Sequence, residues 1–395
     1  MSRSAYYLIR IATFPLSFLP YRAIHALGRF LGTLGFYCLR SYRKRTLSNL
    51  SLAPALNADL HRTAKQSFQN LAINCLEYPR FARETDFSRV IQCENPELAL
   101  DLHNKGTGLI FFCGHLSNWE TLFLDGTTRM RGVAIGKPTK NHHLYKWIVS
   151  IREQNGGTII DPRRALQEGL RHLRKGAFLG IVGDQGMPGS PYTFPFLGRT
   201  AYNSTAPALL AYRTGSPILV ATTRRIKGGY RIRYSDPVYP DLTQPAEAEI
   251  PRLMDLALTH LQNAILASPG EWLWQHNRWK QQTPQTIYRR FRHDAIGVVL
   301  PPDPAPFADA LATLRAIYPT NFFTTYTLPL PHDYRPKLIF NFTTSPLVAP
   351  HFERLSAFET LDIPTLKQLA APYSGDDLSE ILKRALTRPG ILYRY

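Results

Sequence analysis

Gly108 to Leu124 reads GLIFFCGHLSNWETLFL, and the fold turns on how this stretch is read. Leu109, Ile110, Phe111 and Phe112 form a short apolar run bounded by glycines, the pattern of a buried strand. Gly114 breaks the run, and His115, Leu116, Ser117 and Asn118 follow. Trp119, Leu122 and Phe123 then recur at helical spacing. A strand that enters a helix through a glycine turn places the turn at the carboxyl edge of a sheet, where α/β proteins hold ligands. The turn carries His115, and five positions on stands Glu120.

A neutral imidazole near its ordinary pKa can take a proton from a hydroxyl, and a carboxylate can fix its tautomer. On one ideal helix the two side chains would diverge by about 140°. They can meet only if His115 lies in the turn and Glu120 in the first helical turn. Ser117 or Asn118 as N-cap permits that. Two plainer readings compete. Ser117 to Glu120 is also a capping box, in which Glu120 bonds only the backbone. The spacing itself is cheap: with 12 His and 29 acidic residues in 395, about 0.9 such matches are expected by chance. Its place after strand and glycine is what favours catalysis.

Working outward, 47 Lys and Arg against 29 Asp and Glu give a formal charge of +18. Such a balance favours anionic partners: nucleic acid, an anionic leaflet or phosphate-bearing substrates. A hydrophobic content of 44% excludes a disordered chain. Cys38, Cys75, Cys93 and Cys113 form no CxxC and no metal spacing, which fits reduced thiols in a cytosolic setting. Cys113 reads as a small core residue. No metal and no cofactor are expected.

Residues 5 to 39 are rich in Leu, Phe, Tyr and Ile, yet the longest stretch free of charge or His is Ile11 to Tyr21, interrupted by Pro15 and Pro20. That is short of the roughly 20 apolar residues of a spanning helix. The expectation is a retained membrane anchor, either an interfacial helical hairpin or a tilted helix with snorkelling arginines. Arg40, Arg43, Lys44 and Arg45 would keep the following domain on the cytoplasmic side. Residues 58 to 83 show helical spacing. Strands are expected at 133–136, 178–182, 217–221 and 230–234, and a helix at 251–266. Asp161-Pro162 opens another helix, which puts Arg163 and Arg164 in its first turn, against the helix dipole. An anion contact or a solvated face would account for them equally. The strand 178–182 ends in Gly183-Asp184-Gln185-Gly186, a polar turn at a sheet's carboxyl edge. Glu271 to Lys280 (EWLWQHNRWK) suits either base stacking or an interfacial aromatic belt.

GHLSNWE resembles the HLGNWE-like signature of the lipid A late acyltransferases, lauroyl and myristoyl type, within the lysophospholipid acyltransferase superfamily and its H-x4-D/E motif. The likeness runs from about residue 5 to 282. It includes Arg43 to Leu52 (RKRTLSNLSL), Asp184-Gln185-Gly186, Pro195 to Arg199 (PFLGR), Ala211 to Gly215 (AYRTG) and Glu271 to His276 (EWLWQH). The resemblance implies an α/β fold: an acyltransferase-type mixed central sheet flanked by helices, with an N-terminal membrane-anchoring helical segment. It implies His115 as general base with Glu120, and substrate contacts from Asn118, Arg163 or Arg164, Asp184 and Gln185. It implies acyl carrier protein as donor, the hydroxyacyl chain of a Kdo-bearing lipid A precursor as anionic glycolipid acceptor, and the cytoplasmic face of the inner membrane as location. The domains expected are an anchor over 1–45, an acyltransferase domain over 46–288 and, beyond the likeness, a small C-terminal α/β module over 289–395. Acylation of another lysophospholipid or glycolipid is the alternative. A basic membrane or nucleic-acid binding protein without catalysis is a remote one, and no nucleic-acid partner is expected.

Overall fold

In the computed structural model, which describes residues 3–388, the chain forms two compact units. One comprises Met1–Cys38 and Leu56–Leu273, the other Leu39–Ala55 and Trp274–Tyr395. The division differs from the expected one at both borders. The second unit starts earlier than residue 289, and it claims the basic stretch around Arg43.

The first unit opens with α1 (Arg3–Thr13) and α2 (Tyr21–Cys38), separated by a short 3-10 turn over Phe14–Phe18 where Pro15 stands. Among the described residues no helix is long and apolar enough to cross a membrane. After α3 (Arg40–Ser51), which belongs to the second unit, the chain returns through α4 (Leu60–Phe81), capped by Asp59, whose carboxylate accepts the Arg62 N–H at 2.7 Å. Gly28 and Gly32 let α2 lie close along α4: a Cβ at either would collide with Ile73 or with the Gln69 backbone.

Among the described residues nine strands follow in this unit: β1 (Ile91–Cys93), β2 (Leu109–Cys113), β3 (Gly132–Ile135), β4 (Thr158–Ile160), β5 (Phe178–Val182), β6 (Thr193–Phe196), β7 (Arg199–Tyr202), β8 (Ile218–Ile226) and β9 (Gly229–Tyr234). Seven of them make one sheet in the order β1-β9-β8-β2-β5-β3-β4. All its pairings are parallel except β8 with β9. Every residue of β2, at the centre, is buried, which is why it reads as an unbroken apolar run rather than an alternating one. Between the strands lie α5 (Glu97–Asn104), α6 (Glu120–Arg129), α7 (His142–Arg152), α8 (Ala165–Leu173) and α9 (Ala206–Thr214), and α10 (Ala246–Ala267) follows β9. The expected mixed sheet flanked by helices is present.

Two elements lie where no strand or helix is expected. PFLGR forms the hairpin of β6 and β7, turned by Leu197 (φ +51°) and Gly198 (φ +82°). Residues 137–146, a basic, His-bearing segment, run into α7, which is capped by the Asn141 side-chain Oδ1 accepting the N–H groups of His143 and Leu144.

In the second unit β10 (Ala295–Val299), β11 (Phe322–Tyr326), β12 (Leu338–Asn341) and β13 (Glu359–Asp362) form a parallel sheet in the order β11-β10-β12-β13. This unit has an α/β arrangement, and α3 is part of it. Lys44 Nζ on α3 donates to the Ala357 carbonyl at 2.5 Å, and Ser48 Oγ to that of Arg335 at 2.7 Å. Asn49 Oδ1 accepts from the buried Lys337 Nζ at 3.1 Å.

Candidate active site

Register builds the site. β2 and β5 are parallel neighbours with Cys113 opposite Val182. Each strand then ends in a glycine followed by a polar residue: Gly114-His115 on one, Gly183-Asp184 on the other. The Gly183 N–H reaches the Cys113 carbonyl at 2.9 Å, which continues the ladder one residue further. His115 and Asp184 are thus delivered side by side at the carboxyl edge. Both glycines are needed. A Cβ at Gly114 would stand 3.0 Å from Asp184 Oδ2, and one at Gly183 would overlap the Phe112 ring.

Asp184 is spent on its neighbours. Its Oδ1 meets His115 Nδ1 at 2.7 Å, and its Oδ2 accepts the His115 backbone N–H and the Trp272 indole N–H, each at 2.7 Å. Burial would push this carboxyl up, but the imidazole's charge and these three bonds hold it far below the usual carboxylate range. Asp184 is therefore ionised. An ionised carboxylate can only accept, so His115 carries its proton on Nδ1 and presents Nε2 as a lone-pair acceptor. Burial would lower the imidazole's pKa, but Asp184's charge and hydrogen bond, with a smaller push from Glu120, raise it above the ordinary value. The ring is 15% exposed, and the Trp119 ring stands edge-on to it at 4.5 Å.

The expected direct pair of His115 with Glu120 is corrected. Glu120 opens α6, 5% exposed, and its carboxylate is clamped by Arg152: Nε to Oε2 at 2.7 Å and Nη2 to Oε1 at 2.5 Å. Tyr78 OH donates to Oε1 at 2.7 Å. Burial would raise the Glu120 pKa, but the Arg152 charge and bonds bring it below its ordinary value. Glu120 thus reaches the imidazole through its field, while Asp184 holds the ring. The capping box is absent too. Ser117 Oγ donates to Glu271, and Asn118 Oδ1 takes the Glu120 N–H at 3.2 Å.

The turn between β2 and α6 is pinned from beneath. Ser117 sits at φ +44°, a left-handed conformation that costs a non-glycine residue energy. Its N–H donates to the Glu271 carbonyl at 2.8 Å, its carbonyl accepts from Asn70 and Asn74, and the Leu273 N–H donates to the His115 carbonyl at 3.1 Å.

His115 and Glu120 line a cavity of about 340 Å³ with Phe111, Phe123, Phe178 and Tyr234 on its apolar side and Lys137, Arg152 and Gln185 among its polar groups. With so many aromatic and aliphatic side chains in its wall, the cavity suits a ligand mostly apolar in character. Of the expected substrate contacts, Gln185 lines this cavity, and Asn118, Arg163, Arg164 and Asp184 are not among its lining residues. Asn118 is 1% exposed and donates to Glu77 at 2.7 Å, a structural role. Asp184 is consumed as the imidazole's partner. Arg163 and Arg164 lie exposed on a 3-10 turn, Arg164 at 2.9 Å from Glu168, while their neighbour Pro162 reaches the cavity. Trp272, Trp274 and Trp279 are at most 2% exposed, so the EWLWQHNRWK segment offers these indoles neither to bases nor to lipid. Among the described residues no group of three or more His, Cys, Asp or Glu could hold a metal ion.

Sequence reasoning missed Arg152, Tyr78 and Trp272. The first two stand on helices far along the chain from Glu120 and carry no motif. For the His115–Asp184 pair a signal existed: two strands with the same ending, glycine then an ionisable residue.

Glu120→Ala is expected to destabilise the fold by about 3 kcal/mol, because it strands the Arg152 guanidinium, 19% exposed, without its carboxylate. Glu120→Ala with Arg152→Met should regain most of that loss. Chemical denaturation of the two variants checks this.

A family model described as bacterial lipid A biosynthesis acyltransferase matches residues 1–281, and the chain belongs to that family. No curated protein matches the chain.

Proposed function

We propose that this bacterial lipid A biosynthesis acyltransferase moves a fatty acyl chain from acyl carrier protein to the hydroxyacyl chain of a Kdo-bearing lipid A precursor, working at the cytoplasmic face of the inner membrane. The observation that carries the chemistry is the imidazole of His115. Its Nδ1 is tied to an ionised Asp184, and its other nitrogen makes no hydrogen bond to a described residue.

In the proposed reaction Nε2 takes the proton of the acceptor hydroxyl as its oxygen attacks the thioester carbonyl of the donor. Asp184 stabilises the imidazolium that forms. The tetrahedral intermediate collapses, the C–S bond breaks, and the imidazolium returns its proton to the leaving thiolate. The acceptor gains an ester, and the donor leaves as a free thiol. No nucleophilic Ser or Cys is required, since holding both substrates in one cleft supplies much of the rate. Buried Cys113 fits that reading: burial pushes its thiol far up, away from the reactive thiolate. Lys137 and Gln185, at the cleft, are the candidates to meet the developing oxyanion.

The charge of +18 favours the two anionic substrates. Support for the membrane location comes from the apolar residues that α1, the following turn and α2 leave exposed: Leu8, Ile11, Phe14, Phe18, Phe30 and Leu34, each at least half exposed.

The test is transfer by the purified full chain. Supplied with acyl carrier protein thioesters, it is expected to add the mass of one acyl group to the Kdo-bearing precursor. No product from that donor overturns the donor, and product on a lysophospholipid alone overturns the acceptor.

A further inference from the structure

A second cavity of the first unit, about 620 Å³, lies between α2, α4 and the turn joining β8 to β9, and it does not contain His115. Four of its lining residues are permanent cations, Arg22, Arg29, Arg225 and Lys227, against one carboxylate, Glu271. That carboxylate is already engaged, accepting from Ser117 Oγ and, at 3.1 Å, from the Arg225 backbone N–H. The His25 ring in its wall is paired with Glu77 at 2.8 Å. Arg225 spends its guanidinium on Asn70, Asn74 and Tyr230, so it adds charge and holds the wall. Arg22, Arg29 and Lys227 are exposed and make no ion pair or side-chain hydrogen bond with a described residue.

Their convergence is built. Arg22, His25 and Arg29 stand three and four apart on α2, hence on one face. On the other side Gly228, at φ +82°, turns the β8–β9 hairpin so tightly that a Cβ there would lie 3.1 Å from Arg22 Cγ. The hairpin thereby brings Lys227 up to the arginines. Like charges gathered in a concavity repel one another unless an anion joins them. Guanidinium forks match the oxygens of a phosphate, and an ammonium beside them adds a point charge. The same helix shows what carries that phosphate, because α2 also exposes Phe30, Leu34 and Tyr37 to solvent. A headgroup in the cavity and acyl chains along the apolar face would satisfy both.

We propose that this cavity binds the phosphate headgroup of an anionic membrane lipid, as a site separate from the acyl-transfer cleft. The binding draws on Arg22, Arg29 and Lys227 for affinity and on Arg225 for a fixed positive wall.

The test is sedimentation of the full chain with phosphatidylcholine vesicles, with and without a minor fraction of phosphatidic acid, and no acyl donor present. Failure here therefore leaves the acyl-transfer reading standing. Tighter binding to the phosphatidic acid vesicles is expected, weakened about fivefold for each cation removed and roughly a hundredfold in R22Q/R29Q/K227Q. R171Q/R174Q/K175Q removes as much charge from exposed residues outside the cavity and is expected to fall by less than about fivefold in total. The single variants R29Q and K227Q, on exposed side chains, keep the steps readable if the triple variant does not fold. Equal losses in the two triple variants would reduce the effect to net charge and overturn the site. Binding of inorganic phosphate that is lost in R22Q/R29Q/K227Q, without preference for the phosphatidic acid vesicles, would make the cavity a free-phosphate site and overturn the lipid.

Discussion

His115→Ala is expected to lower kcat for acyl transfer by about a thousandfold or more, with KM for either substrate little changed. The side chain is 15% exposed at the cleft and supplies the ring nitrogen without a hydrogen bond to a described residue. No other described residue lining the cleft can replace it as a base at neutral pH. Glu120 is ionised but clamped by Arg152, Lys137 is cationic, and the Cys113 thiol is held protonated by burial. Folding should survive, because Asp184 keeps two of its donors, the backbone N–H of residue 115 and the Trp272 indole. His115→Gln is the sharper variant. Its side-chain amide can still donate to Asp184, yet it cannot accept a proton at neutral pH. The two variants should lose activity alike while Gln melts closer to the parent. Steady-state kinetics beside thermal melting decides the point. Activity within tenfold of the parent in either folded variant would remove His115 as the base.

What could be read in advance followed from local rules. The run of β2, the glycine break and α6 were legible because a buried parallel strand needs a continuous apolar run and the turn needs residues without bulk. β5 was legible for the same reason. The partner of His115 was not, because sequence proximity favours Glu120 and the chain inserts β3 and β4 between the strands that meet. The order β2-β5-β3 in the sheet places Asp184, 69 positions from His115, closer to Nδ1 than a carboxylate five positions away. Long-range pairing of this kind has no helical or strand period to betray it. Similarly, the basic run that opens Arg43 to Leu52 gives no sign that Lys44 and Asn49 are buried on α3 in the second unit. Buried polar residues that satisfy distant carbonyls carry no hydrophobic pattern. The hairpin of β6 and β7 hid behind Pro195, since proline in a run argues against a strand until its edge position is known.

Asp184→Asn separates the two carboxylates. It should lower kcat by about 10²–10⁴-fold, because an amide can donate to Nδ1, trap the tautomer with its proton on Nε2, and leave no lone pair toward the acceptor hydroxyl. The pH dependence carries a second signature. Transfer needs the neutral imidazole, so the parent's rate rises with pH through the pKa of His115. Asp184's charge and hydrogen bond place that pKa above the ordinary value against the opposing pull of burial. Removal of the charge lets burial prevail, and the rising limb of kcat/KM should move to lower pH while the plateau stays depressed. Glu120→Gln should move the limb in the same direction but less, since Glu120 adds only a minor push and holds no atom of the ring. Its plateau should also fall less. Paired pH–rate profiles of the two variants measure the difference. If Glu120→Gln shifts the limb further, or loses more of the plateau, then the orienting carboxylate is the one five residues along the chain. The register of β2 on β5 would then serve the fold and not the reaction.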